Sequence, residues 1–179
     1  MPELPEVETI VNDLNEKIVG QKIENVQIRL SKIVKNSDKF FSDFLLANKF
    51  SKVGRRGKLI IFYFSDPDKF MLVHLKMTGQ LIYKDKDKTI AGGHSQDKTL
   101  DNLPNKYTHV IISFENKAQL MYNDLRQFGY VKLIDRKEMD HVLGKFGYEP
   151  LEKDFNLVNL KKLVRGRKKN VKAFLLDQS

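Results

Sequence analysis

Val7, Ile10, Val11, Leu14 and Ile18 recur three or four residues apart, which sets them on one stripe of a helix. Pro5 stands at the first turn, where its missing N–H costs little, and Gly20 stands where the helix would stop. Alternation then takes over: Val26, Ile28 and Leu30 predict a strand. A second helix is expected over residues 40–46, entered from Ser37 or Asp38 as its cap. The middle of the chain breaks into short apolar or aromatic runs at 59–64, 70–75, 81–83, 110–114, 119–122 and 130–134, separated by Asp-Pro, Thr-Gly and Glu-Asn-Lys turn signals. Many short strands at near-regular spacing predict a β-sandwich.

Between Lys84 and Lys106 the chain is polar and without period, with Gly92-Gly93 in its middle, so a long mobile surface loop is expected there. From Arg136 the pattern turns helical, Gly147-Tyr148-Glu149-Pro150-Leu151 reads as a linker, and a helix is expected near 154–164. The fold class is therefore α+β, a two-layer sandwich flanked by helices and followed by the start of a helical domain. Its expected divisions are 1–135 for the sandwich, 136–150 for the linker and 151–179 for the helical part.

Composition narrows the partners. The chain has 179 residues, enough for one core or one core with a small appendage. A formal net charge of +9 and a pI near 9.5 favour a polyanion, because Lys and Arg displace the counterions condensed on nucleic acid. Lys161, Lys162, Arg165, Arg167, Lys168, Lys169 and Lys172 form the densest basic cluster, although such runs are commonly just solvated. No cysteine is present, which excludes disulfides and thiolate zinc sites, and the four histidines are too scattered to suggest a metal or other cofactor. No apolar run reaches the length of a membrane span and no signal-like start is seen, so a cytoplasmic protein without a membrane partner is expected.

The strongest chemical signal is the start, Met1-Pro2-Glu3-Leu4-Pro5-Glu6. Removal of Met1, expected because proline is small, would leave a secondary amine beside a carboxylate. An α-amino group titrates near ~8 against ~10.4 for lysine, so much more of it is free to attack carbon and form a Schiff base at neutral pH. The same residues also make an ordinary helix start, with Glu6 and Glu8 favouring the dipole, and the two readings are compatible. Lys58, at a strand mouth after Arg55-Arg56-Gly57, could reach a phosphate or merely protect a strand edge. His74 and His109 lie on apolar strands, where hydrogen-bonded structural histidines are the rule, and Met77 and Phe128 would ordinarily be packing residues.

The run PELPEVET, together with Arg55-Arg56-Gly57-Lys58, His74-Leu75-Lys76-Met77-Thr78-Gly79, Arg126-Gln127-Phe128-Gly129 and Lys172 within NVKAFLLDQS, resembles the formamidopyrimidine-DNA glycosylase family in the order that family requires. The resemblance implies an amino-terminal sandwich followed by a helix-two-turns-helix domain. It implies Pro2 as nucleophile at C1′, Glu3 as general acid needing a partly desolvated site, and Lys58 as a DNA contact that serves proton transfer during β-elimination. Met77, Arg126 and Phe128 would fill the hole left by a rotated-out nucleotide, the arginine facing the orphaned cytosine. His109 would touch the DNA backbone, Arg167 or Lys168 would bind phosphate, and Lys172 would lie near the lesion base. Leu125 and Gln127 stand where the family usually has a proline and a second arginine, which weakens a phosphate contact but keeps the wedge residues.

The implied activity is release of oxidised purines such as 8-oxoguanine and formamidopyrimidines from double-stranded DNA by a monomer, followed by cleavage of the abasic strand. The PELPEVE start and the Met77, Arg126, Phe128 trio favour this branch over the related endonuclease VIII group. The family's later Gly-Asn-Ile-Tyr motif and four-cysteine zinc finger are not among these residues, so an alternative is a remnant that binds damaged or abasic DNA without turnover. A third reading is a fragment whose Phe174, Leu175 and Leu176 form an uncovered apolar patch.

Overall fold

The apolar stripe of the first segment folds as α1 (Leu4–Ile18), with Val7, Ile10, Val11, Leu14 and Ile18 all buried. In the computed structural model, the residues described are 2–86, 88–93, 100, 102–150 and 152–176. Met1, residues 87, 94–99 and 101 of the expected loop, Leu151 of the expected linker and the final Asp177-Gln178-Ser179 lie outside them.

Among the described residues, two antiparallel sheets carry most of the first unit. One has the order β1 (Ile23–Ile28), β7 (Thr108–Phe114), β8 (Gln119–Asp124), β5 (Gly79–Lys84), β6 (Thr89–Gly93). The other has the order β2 (Phe50–Arg56), β3 (Leu59–Phe64), β4 (Lys69–His74), β9 (Tyr130–Asp135). Val53, Ile60, Phe62, Met71 and Val73 from the second sheet share one core with Leu81, Val110, Ile112, Leu120 and Tyr122 from the first. Full burial of each such side chain contributes about 1.5–3 kcal/mol.

Helices close the open sides. α1 packs on β2, β5 and β6, and α2 (Asp38–Leu46), capped by Ser37, packs on β1. Both edges of the four-stranded sheet are satisfied by asparagines. Asn15 of α1 accepts from Val53 N at 2.9 Å and donates to Val53 O at 2.6 Å, while Asn36 does the same to Leu133 at 2.7 and 3.0 Å. An edge strand otherwise presents unpaired backbone groups.

Two strands depart from the sequence expectation. β2 carries only Phe50 and Val53 as buried residues and has a register shift at Phe50/Lys52, so it shows no alternation. β6 lies inside the expected loop 84–106, which is corrected here. Its Thr89–Gly93 backbone pairs with β5, and a Cβ on Gly92 would come within 2.2 Å of Ile10 Cγ1. Close approach of helix to strand needs glycine, which reads as a loop in sequence.

The chain divides into compact units Met1–Arg136 and Lys137–Ser179. The stretch expected as a linker instead begins with α3 (Arg136–Leu143), whose Met139 is buried, so the second unit starts near 137 rather than 151. It continues with α4 (Leu157–Val164) and α5 (Val171–Leu175), whose caps Asn156 and Asn170 accept from Asn159 N and Ala173 N. No helix among the described residues is long and apolar enough to cross a membrane.

Candidate nucleic-acid interface and active site

Strand register brings three connections to one end of the sandwich. Leu59 pairs with Arg56 and with His74, His74 also pairs with Tyr130, and Gly79 pairs with Asp124. The β2–β3 turn Gly57-Lys58, the connector 75–78 and the connector 125–129 therefore share a rim. Gly57 takes φ +53 in that two-residue hairpin turn, a conformation that favours glycine at the first central position. Both connectors cross between the sheets, from β4 to β5 and from β8 to β9.

Pro2 is buried and Glu3, which follows it, caps α1. Glu3 N donates to Glu6 Oε2 at 3.2 Å. Lys58 Nζ donates to Glu3 Oε2 at 2.9 Å, with the lysine side chain 13% and the glutamate side chain 60% exposed. The hydrogen bond from Lys58, reinforced by its charge, holds the Glu3 carboxyl below the usual range. The desolvated, proton-bearing Glu3 expected from sequence is thus corrected for the DNA-free protein: it is an exposed carboxylate paired with an ammonium. Beside them Arg55 Nε meets Glu8 Oε2 at 2.5 Å.

The connectors carry exposed side chains on a buried support. Met77 is 42% and Phe128 56% exposed, and the Arg126 guanidinium lies 4.7 Å from the Phe128 ring centroid. Beneath them Asp124 is fully buried and accepts from four donors. Its Oδ1 takes Thr78 Oγ1 at 2.5 Å and Arg126 N at 3.2 Å; its Oδ2 takes Gly129 N at 2.8 Å and, more weakly, Tyr122 OH at 3.5 Å. Arg126 N also donates to Thr78 Oγ1 at 3.0 Å, so the two connectors are tied directly. Gly129 has no room for a side chain, since a Cβ would lie 1.9 Å from Tyr122 OH and 2.6 Å from His74 O. Neither Asp124 nor Thr78 stands out in sequence. Only the polar pair beside a strand end, Asn123-Asp124, hints at a buried turn.

His74 Nδ1 accepts from Lys76 N at 3.1 Å, and burial, helped by Lys76 and Lys58, pushes the imidazole down to about 4. It is a neutral acceptor shaping the turn before Met77. His109 is 3% exposed, with Nε2 2.7 Å from Asp124 O. The ring braces β7 against the end of β8, and a DNA-backbone contact implied by the resemblance would meet it at a buried position. Arg167, Lys168 and Lys172 are exposed on the second unit, the first two in the turn after α4 and the third on α5. Within that unit a cavity of about 330 Å³ is lined by Tyr148, Phe155, Leu160, Leu163 and Phe174, with Arg167 and Lys169 among its walls. Among the described residues no group of three or more His, Asp or Glu could hold a metal ion.

This architecture has close counterparts. Residues 1–131 match the family model of the formamidopyrimidine-DNA glycosylase N-terminal domain. The chain is 37% identical to the formamidopyrimidine-DNA glycosylase of Desulforamulus reducens and 39% identical to that of Pelotomaculum thermopropionicum; the matches cover 99% and 100% of this chain. It spans 60% of the length of each of these curated relatives. Lactococcus lactis Fpg, solved in complex with abasic-site DNA, superposes with a TM-score of 0.81 at 30% identity over 99% of this chain and 60% of that one. The same enzyme with FAPY-dG DNA gives a TM-score of 0.80 at 30% identity over 98% of this chain and 61% of that one. Sequence and fold agree along nearly its whole length: the chain belongs to the formamidopyrimidine-DNA glycosylase family.

Proposed function

We propose that this chain binds damaged double-stranded DNA across the rim of its sandwich and, once Met1 is removed, attacks the lesion nucleotide with the Pro2 amine. The observation that carries the reading is the Lys58–Glu3 pair beside Pro2 on the same rim as Met77, Arg126 and Phe128. An amine, a carboxylate and an ammonium within one site are the groups that coupled glycosylase and lyase chemistry needs.

The Pro2 nitrogen forms a bond to C1′ as the C1′–base bond breaks, and the ammonium so formed gives up its N–H proton, which the departing base takes up. The nitrogen lone pair then expels O4′ from C1′, O4′ takes a proton from Glu3, and a ring-opened iminium remains. That iminium acidifies C2′–H; transfer of this proton to Glu3, ionised in the preceding step, forms the C2′–C3′ double bond and expels the 3′ phosphate. Loss of the C4′ proton to solvent then expels the 5′ phosphate in a second elimination, and addition of water at C1′ releases the amine.

Glu3 must acquire its proton within the complex. In the free protein Lys58 holds it ionised, and an incoming phosphate competes for Lys58 with the same charge-assisted hydrogen bond. Transfer of Lys58 to the phosphate leaves Glu3 unpaired beside an anion and shielded from water, and both effects raise a carboxyl pKa. Met77, Phe128 and Arg126 offset the unstacking of the rotated nucleotide by occupying its place.

The test is incubation of the Met1-free chain with a duplex carrying 8-oxoguanine opposite cytosine. Released 8-oxoguanine together with a cut strand supports the reading. Binding with neither product would leave a DNA-binding module without turnover.

A further inference from the structure

We propose that Thr78 and Asp124 form a positioning clasp that sets the spacing between Met77 on one connector and Arg126 and Phe128 on the other. The inference rests on the DNA-binding and amine chemistry proposed above and deepens it.

The two connectors share no strand ladder of their own. The sheets on either side end at His74 and Gly79 for one and at Asp124 and Tyr130 for the other. What joins them beyond those ends is a closed triangle: Thr78 Oγ1 to Asp124 Oδ1 at 2.5 Å, Arg126 N to Thr78 Oγ1 at 3.0 Å, and Arg126 N to Asp124 Oδ1 at 3.2 Å. The hydroxyl donates to the carboxylate and accepts from the amide, so it uses both of its capacities. The two arms of Asp124 have different tasks. Oδ1 couples one connector to the other, whereas Oδ2 folds the second connector onto its own Gly129. A fully buried carboxylate with acceptors only is suited to a site that offers it only donors.

Met77 immediately precedes Thr78, and Arg126 is itself a vertex of the triangle. A loosened clasp therefore displaces the wedge without touching Pro2, Glu3 or Lys58. A wedge matters where a nucleotide must be rotated out of a duplex; it is idle on a single-stranded abasic site, where there is no stack to refill.

The experiment compares borohydride trapping of the Met1-free chain on an abasic site in duplex and in single-stranded DNA. Thr78→Ala is expected to lower duplex trapping roughly tenfold, the effect of one lost hydrogen bond to a charged acceptor, and to leave single-strand trapping unchanged. Thr78→Ser restores the hydroxyl and should restore duplex trapping. Asp124→Asn turns an NH2 group toward donors on one arm and Asp124→Ala removes both arms, so each should fall at least as far as Thr78→Ala on duplex. Thermal unfolding of each variant identifies any that does not fold, and Thr78→Ala, at a half-buried position, decides the matter if Asp124→Ala is lost. Equal trapping by Thr78→Ala and the parent on duplex would overturn the clasp, as would an equal loss on both substrates. A parent chain that traps neither substrate overturns the functional reading itself, and is distinguished by that from a failed clasp.

Discussion

Lys58 Nζ donates to Glu3 Oε2 at 2.9 Å across the mouth of the rim, so the carboxylate next to Pro2 rests as one half of an ion pair. The pairing explains why Glu3 stays ionised in the DNA-free protein although the proposed chemistry needs an acid there. Under the proposed function a DNA phosphate would compete with this carboxylate for Lys58.

Lys58→Met should therefore move the Glu3 carboxyl titration upward, back toward the ordinary carboxylate value, in the DNA-free protein. The sign follows from removing both the hydrogen bond and the positive charge that favour the ionised form. Carboxyl NMR with a labelled glutamate across the acid range checks it. An unmoved titration would mean that the pair is not formed in solution.

His74 ties stability to pH. Its folded value near 4 lies below the ordinary histidine value because the ring is buried, with the charges of Lys76 and Lys58 adding to the effect. The unfolded chain then binds more protons between the two values, so the contribution is fully present above about 6.5 and is lost as pH falls toward 4, amounting to at most about 3 kcal/mol. Protonation also removes the acceptor that shapes the turn before Met77. Thermal unfolding should show a falling midpoint over this window in the parent and a flatter one in His74→Gln.

Gly129→Ala should destabilise the first unit by about 3 kcal/mol or more, above the usual cost of overpacking, because the Cβ meets Tyr122 OH and the His74 carbonyl rather than a flexible chain end. Urea unfolding measures it. A loss under about 0.5 kcal/mol, the scatter expected of surface substitutions, would show that the rim yields.

Much of this was legible in the sequence where one residue type repeats with one period. The α1 stripe and the runs of β3, β4, β7 and β8 are buried along nearly their whole length, and apolar continuity marks them. β2 and β6 were not, because their places depend on backbone pairing, on Asn15 and on the close approach of Gly92 to Ile10, none of which has a period. The exposed site residues Glu3, Lys58, Met77, Arg126 and Phe128 were named from motif order, and topology brings their elements to one rim. The support beneath them was missed for a physical reason: Asp124 binds donors from residue 78 and from residue 129, and separations of that kind leave no local pattern. His109 sits buried on β7, as its apolar strand context suggests.

Arg167, Lys168 and Lys172 are exposed on the second unit, so a phosphate-binding role for them would act through charge. Neutralising any one phosphate-contacting cation should weaken binding alike for damaged and undamaged duplex and reduce the slope of log affinity against log salt by about one. Fluorescence anisotropy across a salt series reads both. Affinity that does not change with salt would contradict a phosphate-binding role for this cluster.

A Pro2 amine that attacks C1′ passes through an iminium, which borohydride reduces to a stable covalent adduct. The Met1-free chain, a Met1-retaining chain and Pro2→Gly are each incubated with a duplex carrying 8-oxoguanine opposite cytosine, then reduced. A covalent protein–DNA adduct formed by the Met1-free chain and absent when Met1 blocks the nitrogen is the predicted result. No adduct from the Met1-free chain, or one that persists with Met1 retained, would contradict the account.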